Sequence, residues 1–203
     1  IPLEPKREHP RFNLDSLRPY EIMMADNKKF PCELIDGAKT AFLLICVKTQ
    51  RKFLIELRTK SQNHKALEQI ITITGAHKLP YQCKLFTDGC GSMEPVREMA
   101  RRYGLCHRFI PPYSQSLNDA EKLVDRVFAS TRTILHETKA PSSLFAECAV
   151  MVCHIDQYMA TNPKRGYLTP LEMVTGLQPC IRHLVPFFTK CTVSAPKDKQ
   201  RHL

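Results

Sequence analysis

Two hydrophobic periodicities alternate along this chain in an order that few folds accommodate. Strand-like apolar runs occupy residues 20–26, 41–47 and 52–58, and the short gap at 48–51 predicts that the last two form a hairpin. Residues 62–74 follow, with Leu67, Ile70, Ile71 and Thr74 at helical spacing. Pro80 then breaks the chain before a strand at 82–87. Residues 93–103 predict a helix stopped by Gly104, and 105–110 a short strand running into Pro111-Pro112. A long helix is expected from about 116 to 138, its apolar face marked by Leu117, Ala120, Leu123, Val124, Val127, Thr131, Ile134 and Leu135. Another is expected at 142–160, and Pro170 opens a short one ending near Gly176. Strands joined by helical crossovers require a mixed sheet with helices on both faces. The expected fold class is therefore α/β.

Domain organisation follows from the same pass. Residues 1–19 are polar, contain four prolines and read as a linker. Residues 20–180 form the expected core. Residues 181–203 read as the start of a basic extension, where Phe187, Phe188 and Val193 after Pro186 suggest a small β element.

Composition narrows the class of partner. The 203 residues suffice for one domain plus tails, and 43% hydrophobic content supports a real core. Lys and Arg outnumber Asp and Glu 30 to 20, a net +10 that suits a polyanionic partner. The plainer alternative is a basic surface that serves solubility. Nine cysteines with no CxxC pair exclude a disulfide framework and place the chain in a reducing compartment, nucleus or cytoplasm. Cys83, Cys90, Cys106-His107, Cys148 and Cys153-His154 match no zinc module, and small core residues explain the last cysteines better. No apolar run reaches the length of a membrane span. The opening residues lack an apolar leader, so secretion is not expected. The chain begins without Met and stops in a basic stretch, as expected of a segment cut from a longer polyprotein.

Three acidic residues carry the chemistry. In open α/β sheets, ligands bind at strand carboxyl ends near a switch in strand order. Asp26 ends the first apolar run. Asp88 ends Cys83-Lys84-Leu85-Phe86-Thr87 and is followed by Gly89-Cys90-Gly91, glycines suited to a tight turn. Sixty-one residues separate the two, room for a hairpin and a crossover helix. Glu121 lies at the start of the long helix. Carboxylate oxygens suit hard cations, and paired Mg²⁺ (or Mn²⁺), two ions per site, drive in-line displacement at phosphorus. The implied chemistry is polynucleotidyl transfer. Without metal, three clustered carboxylates repel, and at least one pKa should rise. Asp125, one turn after Glu121, is a competing ligand or a partner for Lys122 or Arg126. Lys122, Arg126 and Arg132 either contact phosphates or form a solvated helix face.

The same residues carry a family resemblance. Ala25-Asp26 with Pro31, Thr87-Asp88-Gly89-Cys90-Gly91, Tyr103-Gly104-Leu105 with His107, and Pro112-Tyr113-Ser114-Gln115-Ser116-Leu117-Asn118 leading to Ala120-Glu121-Lys122 stand in family order. So do Thr169-Pro170-Leu171-Glu172 with Gly176 and Pro179, and Pro186-Phe187-Phe188-Thr189-Lys190-Cys191 with Pro196-Lys197. Over residues 18–203 the chain resembles the catalytic core of retroelement integrases, most of all those of copia-type LTR retrotransposons. The resemblance implies a ribonuclease H-like five-stranded mixed sheet, catalytic and metal-binding roles for Asp26, Asp88 and Glu121, and DNA contact near Gln115 and Asn118, where ordinary loop polarity is the plainer alternative. It also implies processing of element cDNA ends and their joining to target DNA, in a homo-oligomer and away from membranes. The chain departs from the family at Ser92-Met93, where an acidic residue and an aromatic are usual. It departs again at Lys48, where an aspartate is usual, and at Asp119-Ala120, where a glycine is lost. No amino-terminal zinc module lies in the segment. A ribonuclease H or a cut-and-paste transposase is the rival enzyme class. A catalytically inactive or domesticated remnant that binds nucleic acid is the rival of another kind.

Overall fold

The computed structural model describes residues 12–89, 91–110, 119–160 and 166–191. Five strands form one sheet: β1 (Ile22–Lys29), β2 (Thr40–Cys46), β3 (Lys52–Leu57), β4 (Lys84–Thr87) and β5 (Cys106–Phe109). Their order is β3-β2-β1-β4-β5. The β1–β2 and β2–β3 pairs are antiparallel, and β1–β4 and β4–β5 are parallel. The parallel pairs require crossovers. These are α1 (Asn63–Thr74) between β3 and β4, and α2 (Glu94–Arg102) between β4 and β5. Then come α3 (Asp119–Thr138), α4 (Phe145–Ile155) and α5 (Pro170–Thr175). The expected mixed sheet flanked by helices is the observed one.

Side-chain alternation along each strand divides the core in two. From β1, Met23 and Ala25 face α1 and α2, joining Leu67, Ile70, Val96 and Ala100. Ile22 and Met24 face α3 and α4, joining Val124, Val127, Phe128 and Cys148. β2 is buried along its whole length, as a central strand covered on both faces must be. Phe128 clamps α3 to this body. Its ring stacks on Phe30, just past β1, at 5.7 Å, and meets Phe145 of α4 edge-on at 5.0 Å. Truncating such a buried aromatic to Ala costs about 3–5 kcal/mol.

Local signals set the helix ends. Gly75 closes α1 at φ +65°, a left-handed conformation that glycine adopts without Cβ strain, and its N–H reaches Ile71 O at 2.9 Å. At α5 the Thr169 hydroxyl accepts from Glu172 N (3.0 Å), and Thr169 N donates to Glu172 Oε2 (3.3 Å). Pro170 opens that helix and Gly176 ends it. The Thr-Pro-x-Glu…Gly block of the sequence is thus a self-capped helix.

The first strand differs from its expected bounds. Asp26 is not its last residue: β1 runs on through Asn27, Lys28 and Lys29, which pair with Phe42, Ala41 and Thr40 of β2. Polar residues continue the strand because β2 supplies backbone partners whatever the side chains are. Residues 181–191 contain no strand, so a β element there would have to start beyond them, outside the described residues. Before β1, Phe12 rests on Phe86 at 6.0 Å, and Leu14 O accepts from Lys48 Nζ at 2.6 Å.

Candidate active site

The β1–β4 ladder fixes where the first two carboxylates meet. Its parallel pairs run from Ile22↔Lys84 to Met24↔Phe86. The ladder's 62-residue offset, continued two residues, brings Asp26 level with Asp88. On the β4 side, Asp26 therefore does lie beyond the end of pairing, although on the β2 side its strand continues. Alternation assigns the face. Asp26 follows Ile22 and Met24, and Asp88 follows Phe86, so both side chains belong to the α3 face.

Glu121 comes to that face from α3. It is the third residue of the helix and lies seven before Phe128, hence on nearly the same stripe. Phe128 is buried against the sheet, whereas Glu121 is exposed, at the rim of the core.

The electrostatics join the three. Asp26's carboxyl is raised above its ordinary range, first by burial and then by the negative charges of Asp88 and Glu121. The Asn27 backbone N–H, which donates to Asp26 Oδ1 at 2.7 Å, and the Lys28 ammonium pull the other way. Among the described residues, no three His, Cys, Asp or Glu side chains stand close enough to hold an ion as they are. Asp26 is thus coupled by charge to Asp88 and to Glu121 without the three forming a closed cage. Their chemistry fits a hard divalent cation, since all donors are carboxylate oxygens and added positive charge would offset the repulsion.

Asp125 is placed differently. It is exposed and accepts from Lys28 Nζ, a residue of β1. Lys122, Arg126 and Arg132 are exposed on α3. Gln115 and Asn118 lie outside the described residues.

Several residues around the site carried no legible signal. Asn27 Nδ2 donates to Asn63 Oδ1 at 2.7 Å, and Asn63 Nδ2 donates to Ser92 O at 3.3 Å. Ser92-Met93, the departure after the second acidic motif, is therefore built into the fold: Met93 is fully buried. On β5, His107 Nε2 lies 2.9 Å from Thr87 Oγ1, whose hydroxyl reaches Asp88 O at 3.1 Å. Burial and nearby Arg97 hold the His107 imidazole below its usual range, which favours its neutral form. A period-two pattern reveals which face each residue takes, but not that these hydrogen bonds form.

Among the described residues, the cysteines form no group that could hold a metal. All eight described ones are free, and Cys83, Cys148 and Cys153 are core residues. Burial pushes the Cys148 thiol up to about 11 and Cys153 to about 12. Among the described residues, no helix is long and apolar enough to cross a membrane.

No protein-family model matches the chain, and no curated protein matches it. Solved structures do. A chain of the simian T-cell lymphotropic virus intasome, in complex with PP2A regulatory subunit B56 gamma, is similar with a TM-score of 0.63 at 12% identity, covering 93% of this chain. This chain spans 63% of that one's length. The HTLV-2 integrase catalytic core domain, in complex with magnesium and in trimeric form, is similar with a TM-score of 0.56 at 14% identity. That match covers 77% of this chain and 97% of the HTLV-2 domain. The five-stranded mixed sheet with helices on both faces is the fold of an integrase catalytic core.

Proposed function

We propose that the chain is the catalytic core of a retrotransposon integrase of the copia type, a metal-dependent polynucleotidyl transferase acting on DNA ends. The observation that carries this is the placement, on one face of the sheet, of Asp26 level with Asp88, with Glu121 acting on Asp26 through its charge. Asp26, Asp88 and Glu121 would hold Mg²⁺ or Mn²⁺, two ions per site. The HTLV-2 core solved with magnesium supports the choice of ion. Such ions supply Lewis acidity and lower the pKa of a bound hydroxyl.

The chain's own residues do the rest. Asp26 accepts the Asn27 N–H, which holds one carboxylate oxygen in place. Lys28 engages Asp125, which favours Glu121 over Asp125 as the ligand from α3. Lys122 and Arg126, beside Glu121 on the exposed side of α3, are suited to DNA phosphates, as Gln115 and Asn118 are to the DNA near the third motif. In joining, a DNA 3′-oxygen forms a bond to a target phosphorus and the strand's own P–O bond breaks. No Ser or Cys nucleophile is required. The division into a linker at 1–19, a core at 20–180 and a basic extension at 181–203 belongs to the same proposal, as do homo-oligomer assembly and action in the nucleus or cytoplasm.

The test is Mn²⁺-dependent joining of a labelled end duplex by wild type and by Glu121→Gln. Joining by wild type alone supports the reading. Equal joining by both removes Glu121 from the mechanism. Salt-sensitive DNA binding without joining by either favours the inactive nucleic-acid-binding remnant.

A further inference from the structure

The parallel ladder between β1 and β4 ends at Met24↔Phe86, two residues short of the aspartates. Something else must keep Asp26 beside Asp88. Asn63, the first residue of α1, is 0% exposed, and an amide so buried is costly unless hydrogen-bonded. Its Oδ1 accepts from Asn27 Nδ2 at 2.7 Å. Its Nδ2 donates to Ser92 O at 3.3 Å and touches Met93 Sδ at 3.7 Å. Asn27 directly follows Asp26. Ser92 lies in the single turn Gly91–Met93 that follows the Asp88 loop and leads into α2.

We propose that Asn63 is a positioning residue: its side chain bridges β1 to the turn after β4, on the face opposite the carboxylates, and so sets the spacing of Asp26 and Asp88. This rests on the reading of those residues as metal ligands. The bridge reaches the carboxylate through one further bond, because Asn27's backbone N–H is the donor to Asp26 Oδ1 at 2.7 Å. Any shift of Asn27 turns the carboxylate with it. The link has little slack: Asn27 Oδ1 is buried without a partner, so the Asn27 side chain is held by its amino group alone. Outer-shell groups of this kind typically change metal affinity by about 10–100-fold when removed.

The experiment titrates Mn²⁺ into wild type, Asp26→Asn, Asn63→Ala, Asn27→Ala and the Asn27→Ala/Asn63→Ala double variant, by calorimetry or by the Mn²⁺ spin-resonance signal. Loss of binding in Asp26→Asn upholds the ligand assignment, and retained binding there sinks that assignment together with this inference. Given that loss, each alanine variant is expected to bind Mn²⁺ about tenfold more weakly. The double variant is expected to be no weaker than either single, because both break one bridge. Asn63→Asp keeps an acceptor for Asn27 but has no donor for Ser92 O, so it is expected to stay as weak as Asn63→Ala. In joining assays kcat should fall while KM for DNA holds, a split that general loosening would not produce. Should Asn63→Ala fail to fold, Asn27→Ala, at a half-buried position, gives the same readout. Wild-type Mn²⁺ affinity in the single variants, or additive losses in the double, would overturn the bridge.

Discussion

Two three-carboxylate clusters lie on this sheet, and they resolve their repulsion differently. In the first, Asp26 is raised by burial and by the charges of Asp88 and Glu121. In the second, Glu56 of the edge strand β3 is pushed up to about 7 by burial, by the charges of Asp36 and Glu147, and by a hydrogen bond with Asp36. In the second cluster Glu56 is the group whose carboxyl is raised, toward neutral pH. The first is coupled through charge, with the Asn27 N–H and Lys28 favouring its ionised form. A cation would satisfy the proposed first arrangement, whereas protonation of Glu56 relieves the second. Similar residue types thus make a candidate metal site where a backbone donor holds the anion, and a raised carboxyl where neighbouring carboxylates crowd it.

The largest expected effect separates the clusters directly. Glu121→Gln should lower metal-dependent joining by at least ~100-fold, several kcal/mol of transition-state stabilisation, with the melting temperature unchanged because the residue is exposed. Glu147→Gln, at the other cluster, should join DNA like wild type. Equal losses in both would erase the distinction.

Next is the cation beside the first cluster. Lys28 lowers the Asp26 carboxyl, so Lys28→Met should raise it further and move the acidic limb of the joining profile to higher pH. A pH–rate series on both proteins checks the direction, and an unmoved limb would detach Lys28 from the site.

The second cluster should register in stability. Glu56's folded-state value, about 7, lies above its unfolded value of 4.5. Its contribution is therefore full below pH 4.5 and is lost as pH rises to about 7. Glu56→Gln removes that loss. Discounted for solvent screening, the gain at pH 8 is about 1 kcal/mol, or about 2–4 °C in melting temperature, with none at pH 4. Melting curves at the two pH values decide it; a gain at both would mean simple charge removal.

The smallest effect concerns DNA. Lys122→Ala and Arg126→Ala should each reduce the slope of log affinity against log salt by about 1, without changing sequence preference. Slopes equal to wild type would assign these residues to a solvated helix face.

The elements were legible because their signals are local. Apolar spacing located α1 at 63–74 and α2 at 94–102 within a residue of expectation, and Gly104 and Gly176 marked ends that have positive φ. The end of β1 was misplaced because strand length there depends on β2, which pairs with Lys28 and Lys29 despite their polarity. Asp125 remained a rival to Glu121 in the sequence because its partner, Lys28, is 97 residues away. Asn63 looked like any polar residue at a helix start; only its burial beneath Ser92 and Met93 sets it apart.

The sequence by itself determined that Ile22, Met24 and Asp26 share one side of a strand, because the pleat alternates residue by residue whatever surrounds it. It determined as well that α3 presents one apolar stripe. Only the tertiary structure decided that β1 and β4 pair at an offset that sets Asp26 level with Asp88, that the charge of Glu121 on α3 reaches Asp26, and that the Asn63 side chain meets Asn27. Register between distant strands depends on which buried surfaces fit against each other, and that is a property of the packed core rather than of any local stretch of chain.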